Sequence, residues 1–187
     1  MTASGGRSAA VGDEQEPVGP RVVVGIDCST GARAALLFAL HDAARRGVPV
    51  EAIVVYRPPD YWMEYSAVST YRPEKARAAA LDHGRAFVDR VLPDGPQPPP
   101  EVRIRAVMGI AADALIGASH GADLLVVGSR GLGGFASVLL GSVSMQCALH
   151  ASCPVTVVHS PEAQRERLRR RRDRAHSGGP RERAPAG

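Results

Sequence analysis

The stretch "GSRGLGGFASVLLGS", residues 128–142, holds five glycines and three serines in fifteen positions. It follows the apolar run Leu124-Leu125-Val126-Val127 and precedes "SVSMQCALH", which carries helical spacing. A chain that only turned a corner would not need so many small residues. Glycine lets backbone approach a neighbour with no Cβ in the way and permits positive φ. A strand, a glycine-rich loop and a helix start in that order form a known device. The first turn of the helix presents N–H groups without intrahelical partners and the positive end of its dipole, which suits a phosphate.

Working outward, the chain alternates strand and helix patterns. "RVVVGID", 21–27, is a continuous apolar run ending at Gly25 and Asp27, as in a strand buried on both faces. "STGARAALLFALHDAARRG" predicts a helix capped by Ser29 or Thr30 and ended by Gly47, with Ala34, Leu37, Phe38 and Ala44 at helical spacing. "PVEAIVVY", 49–56, is a second strand. Residues 73–92 predict a helix with Pro73 in its first turn, and "PDGPQPPP" a linker. "EVRIRAVM", 101–108, alternates as a strand. "IAADALIGASHG" predicts a helix, "ADLLVVG" a strand, 141–152 a helix, and "CPVTVVHS", 153–160, the last strand. The expected fold is α/β: one doubly wound domain with a five-stranded parallel sheet and flexible tails. Ligands on such sheets bind beyond the strand carboxyl ends, at the point where strand order reverses. Asp27 and Gly128 both lie at strand carboxyl ends.

Composition bounds the rest. The 187 residues are 44% hydrophobic and 22% charged, enough for one domain with a sizeable core. Residues 1–19 read as a disordered leader, 20–161 as the folded domain and 162–187 as an Arg-rich disordered or partly helical tail. The formal charge of +4 comes from that tail, which carries nine arginines against four acids. Its Glu166–Arg170 and Arg169–Asp173 pairs fit a solvated helical extension. It lacks aromatics for base stacking, which argues against nucleic acid as a partner. No run is long enough for a membrane span, and the N-terminus lacks a signal-peptide pattern. Three unpatterned cysteines fit a reducing compartment, so the expected location is cytoplasmic.

Two phosphate fingerprints fail. A P-loop needs GxxxxGK[ST], and the single lysine, Lys75, lies elsewhere. A dinucleotide GxGxxG belongs after the first strand, whereas Gly131-x-Gly133 follows a late one and has no third glycine. The spacing Gly128-x2-Gly131-x9-Gly141-Ser142 instead resembles the ATP-binding motif of the universal stress protein family. "VVVGIDCS" resembles that family's first strand and acidic turn. "GADLLVVGSRGLGGFASVLLGSVSMQCALHASCPVTVVH" resembles its final third, and the likeness covers residues 20–160.

The resemblance implies a Rossmann-like sheet, bound ATP or a related adenine nucleotide (AMP or cyclic AMP), and a homodimer through the last strand. By position, Asp27 would lie near the ribose and any metal. Val55 would meet adenine with backbone groups. Gly128 would border the ribose, and Gly131, Gly141, Ser142, Val143 and Ser144 would hold the phosphates. Arg130 is either a solvated loop charge or a group that steers phosphate. Ser142 and Ser144 can add hydroxyl donors. Any metal would be Mg²⁺ or Mn²⁺ bridging phosphates, with Asp27 giving at most one ligand.

The bland readings stand beside these. Asp27 can simply cap the first helix, and Ser29 fits a cap better than a ligand. Cys28 has no histidine near it in sequence and reads as a small packing residue. The histidines are scattered without ligand spacing. Residues 57–72, with the only tryptophan and three of four tyrosines, form either a surface loop, an aromatic lid over the base, or a dimer contact. The expected activity is nucleotide-dependent signalling in a stress response, by a change of conformation or dimer state. The alternatives are a slow ATPase, and an interaction module with a vestigial site and a partner-binding tail. No Asp or Glu lies within 128–150 to serve as a base.

Overall fold

The computed structural model describes residues 10–11, 19–57, 72–131 and 140–161. The strands are β1 (Ala10–Val11), β2 (Val22–Gly25), β3 (Val50–Tyr56), β4 (Val102–Met108), β5 (Leu124–Gly128) and β6 (Val155–Val158). The helices are α1 (Thr30–Arg46), α2 (Pro73–Val91), α3 (Ala111–Ala118) and α4 (Ser142–His150), with a 3-10 turn at Leu92–Asp94. All strand pairs are parallel, in the order β1-β4-β3-β2-β5-β6.

β2 to β6 are the five expected strands. β1 is an addition: Ala10 and Val11, inside the stretch expected to be a disordered leader, pair with Arg103 and Ile104 of β4. β4 would otherwise be an edge, and its open backbone groups can take up a short extended segment. The remaining leader residues up to 18, the aromatic segment over 58–71, loop positions 132–139 and the tail 162–187 lie outside the described residues.

Side-chain alternation along the strands divides the core in two. Val22, Val24, Val50, Ala52, Ile104, Leu124 and Val126 pack with α1 and α2. Val23, Ile53, Leu125 and Val127 pack with Leu115 and Ala118 of α3 and Cys147 of α4. This two-sided burial is why β2 and β5 read as unbroken apolar runs.

α1 begins where Ser29 accepts from the Ala32 N–H at 3.1 Å. It ends at Gly47, which sits left-handed at φ 68. Helical spacing alone does not say which face is buried. Ala32, Ala35, Leu36, Ala39, Leu40 and Ala43 face the sheet, while Phe38 and Ala44 are on the exposed side. Both stripes have helical spacing. The alanine-rich one wins because small side chains let the helix axis approach the strands closely. Near its far end Asp42 is buried and takes hydrogen bonds from Arg45 at 2.6 Å and Arg46 at 2.5 Å. Burial alone would push its carboxyl up, but the two arginines outweigh that and hold it below the ordinary value.

At the amino end of the sheet lies an ionic network that joins residues far apart in sequence. Arg21 Nε donates to Glu51 Oε2 at 2.7 Å, and Arg105 Nε to Oε1 at 2.7 Å. Arg21 spends its other N–H groups on the carbonyls of Gly19, Gly121, Ala118 and His120, at 3.1–3.2 Å. It therefore caps the C-terminal end of α3 while bridging β2 to β3.

Candidate functional site

β3 and β4 run to one side of β2, and β5 and β6 return to the other. The order reverses between β2 and β5, and a cleft of about 130 Å³ opens at their carboxyl ends. Of the nine residues expected at a site, seven line it: Asp27, Val55, Gly128, Arg130, Gly131, Val143 and Ser144. Gly141 and Ser142 stand beside it as the N-cap and first residue of α4. Ser142 is exposed.

Each position has a local cause. Asp27 follows β2 directly. Cys28, at φ 63, turns the chain so that the Ser29 N–H donates to Asp27 Oδ1 at 3.1 Å. Asp27 Oδ2 lies against Gly131, where any Cβ would collide with it. One carboxylate oxygen thus already serves the turn, while the cap of α1 itself is Ser29 and not Asp27. Among the described residues no group of three metal-ligating side chains occurs. A cation here would draw most of its oxygens from phosphate and water.

Val55 is placed by strand parity. The Ile53 carbonyl accepts from Ile26 N–H on the β2 side at 3.0 Å, and the Tyr56 carbonyl accepts from Gly109 N–H on the β4 side at 3.0 Å. Val55, two residues after Ile53, directs its N–H and C=O to the β2 side, one step past that last bond. The backbone donor and acceptor therefore border the cleft.

The loop neck is closed by backbone. Ser129 N–H donates to the Val158 carbonyl at 2.7 Å, and its own carbonyl accepts from Gly141 N–H at 2.8 Å. Ser144 is buried, and its hydroxyl donates to the Gly128 carbonyl at 2.7 Å. That hydroxyl proton ties β5 to α4, so Ser144 offers the cleft its backbone N–H rather than the hydroxyl donor expected from sequence. Gly128 owes its size to protein packing, because a Cβ there would lie 2.7 Å from the Gly31 carbonyl carbon.

The apolar walls, Ile26, Ile53, Ala111, Leu115 and Val127, are the part of the cleft that sequence reasoning misses. They belong to the same strand and helix patterns as the core, and no local signal separates them from it. Cys28 does not gain a nucleophile's character. Burial, helped by Asp27 and opposed by Arg90, raises its thiol above the ordinary value. Burial also pushes the Cys147 thiol up to about 11.

The family model for the universal stress protein family matches residues 20–159. The chain belongs to the universal stress protein family. Universal stress protein Rv2623 of Mycobacterium tuberculosis is 33% identical over 148 residues, which is 76% of this chain and 48% of its own length. A Mycolicibacterium smegmatis universal stress protein is 34% identical over 160 residues, 83% and 52% of the two lengths. The chain thus spans about half the length of these family members. Among solved structures, a universal stress protein in complex with cAMP is 28% identical with a TM-score of 0.53, covering 75% of this chain and 97% of its own. UspA from Lactobacillus plantarum has a TM-score of 0.61 at 23% identity, covering 76% and 99%, and shares the fold.

Proposed function

We propose that the chain binds an adenine nucleotide in this cleft and acts through the bound state. The observation that carries the reading is a convergence at the strand-order reversal. An apolar slot with the Val55 donor–acceptor pair at its edge faces the N-terminus of α4 across the glycine loop neck. The slot holds roughly the share of four waters, which suits one planar base. Ribose and phosphates would extend toward Asp27, Arg130 and the first turn of α4. The related protein solved with cAMP, 28% identical, supports an adenine nucleotide.

ATP is the proposed ligand, because the α4 N-terminus, Ser142 and Arg130 together suit more than one phosphate. AMP and cyclic AMP are its competitors, and Mg²⁺ or Mn²⁺ would accompany the phosphates. Among the described residues Asp27 is the one acid lining the cleft, and its Oδ1 already accepts from Ser29. Phosphoryl transfer also needs a positioned acceptor, so binding is the better-supported activity. β6 pairs on one side with β5 and is the last strand in the order. We assign it the contact of a homodimer whose state follows occupancy, in a cytoplasmic stress-signalling role.

The test is direct. The purified protein is acid-precipitated and the released nucleotide identified by mass spectrometry. The emptied protein is then titrated with ATP, AMP and cyclic AMP by calorimetry, and its dimer state followed by sedimentation. Stoichiometric ATP with preference for the triphosphate is expected. Failure to bind any of the three would overturn the reading.

A further inference from the structure

The start of α1 meets the glycine loop through backbone alone. Gly31, in the first turn of α1, is buried. A Cβ built on it would collide with the Arg130 carbonyl oxygen. From the other side, a Cβ on Gly128 would lie 2.7, 2.8 and 3.1 Å from the carbonyl carbon, carbonyl oxygen and Cα of Gly31. None of these obstacles is the tip of a flexible side chain. Ser129, between the two loop positions, is 1% exposed and is held by its bonds to Val158 and Gly141. The loop entry therefore has little freedom to yield.

We infer that Gly31 is a positioning residue for the nucleotide cleft. Its missing side chain seats the Arg130 backbone on α1, at the level where Arg130 and Gly131 line the cleft beside Asp27. The inference rests on the nucleotide reading and extends it to a residue outside the glycine loop, one that does not itself line the cleft. Within "STGARAAL" Gly31 looks only like a poor helix former. Alanine at that position favours the helix by propensity yet displaces Arg130. A merely structural role would weaken every ligand alike, whereas a displaced Arg130 backbone weakens the phosphate end of the cleft.

The experiment compares wild type and Gly31→Ala by calorimetry with ATP and with adenosine. Melting temperature and amide exchange over 128–131 are read on the same samples. Adenosine lacks the phosphates and so reports on the base and ribose part of the cleft, which Ile53, Val55 and Leu115 help to line. The expected result is an ATP Kd raised about ten-fold or more, the scale of one weakened charge-assisted hydrogen bond. The adenosine Kd should stay within about two-fold, the melting temperature should fall because the methyl is seated against backbone, and exchange at the loop entry should quicken. Gly31→Ser, with a larger side chain, should lose at least as much ATP affinity as Gly31→Ala. Unchanged ATP affinity, an equal loss for both ligands, a variant that does not fold, or a serine variant that binds like wild type would each overturn the inference. Wild type binding ATP while Gly31→Ala binds it equally well sinks this inference alone. Wild type failing to bind ATP sinks the nucleotide reading and this inference with it.

Discussion

The two ends of the sheet are built on opposite plans. At the amino end, long charged side chains are buried and saturated: Glu51 takes a guanidinium on each oxygen, and Arg21 also holds four backbone carbonyls. At the carboxyl end, side chains are small or missing and backbone meets backbone, as Gly31 does with Gly128 and Arg130. One end locks the strands together. The other keeps a donor–acceptor pair and a helix N-terminus beside a cleft. Among the described residues no buried side-chain nitrogen or oxygen lacks a partner. Stability and recognition are thus separable by position along the strands, and mutations at each end should move different observables.

The largest effect should come from the amino end. Glu51→Ala leaves the buried Arg21 guanidinium without its carboxylate and should cost about 3–5 kcal/mol, read from the urea midpoint. Nucleotide affinity per folded molecule should hold. A parallel loss of affinity would break the separation.

Gly141→Ala tests the other end. A Cβ there meets the Ser129 carbonyl oxygen at 3.5 Å and Ser144 Oγ at 3.7 Å, ordinary contacts at an ordinary φ of −68°. Stability should fall by only about 0.5–1 kcal/mol for the poorer N-cap. With the phosphates at the α4 N-terminus, as proposed, ATP affinity should drop about ten-fold, near 1.4 kcal/mol. Unchanged affinity would remove the phosphates from the α4 N-terminus.

Ser29 sharpens the comparison, being a stability residue at the cleft end. Ser29→Ala should lower stability by about 1 kcal/mol through the lost cap and shift ATP affinity far less than Gly141→Ala does. The smallest effect is at Asp42. Its carboxyl is held below the ordinary 3.8, so its contribution is present above that value and lost as pH falls through the lowered one. Asp42→Asn should flatten the acid limb of a stability–pH curve and leave the curve's shape near neutrality alone. An equally steep acid limb in the variant would show that the Arg45 and Arg46 contacts are not what acid breaks.

Local features of this molecule are legible in its amino-acid sequence. Buried strands announce themselves as apolar runs, Ser29 and Gly47 as caps, and the glycine spacing as a loop between β5 and α4. What escapes depends on who meets whom. Arg21, Glu51 and Arg105 carry no mutual signal across some eighty positions. Helical spacing in α1 does not show which of its stripes meets the sheet, because that depends on the strands it packs against. Leu115 and Ile53 look like core because they are core, up to the point where β2 stops and the cleft begins. Gly128 is legible as a glycine that something approaches, but the approaching body is Gly31.

The closed neck at Ser129 has an evolutionary consequence. Because Ser129 is bonded to both Val158 and Gly141, the two ends of the glycine loop are joined whatever lies between them. Lengthening the span between them adds only about 0.6 kcal/mol for each doubling. Insertions could therefore accumulate there at little thermodynamic penalty, and one scaffold could explore ligands of different reach without changing how its sheet is assembled.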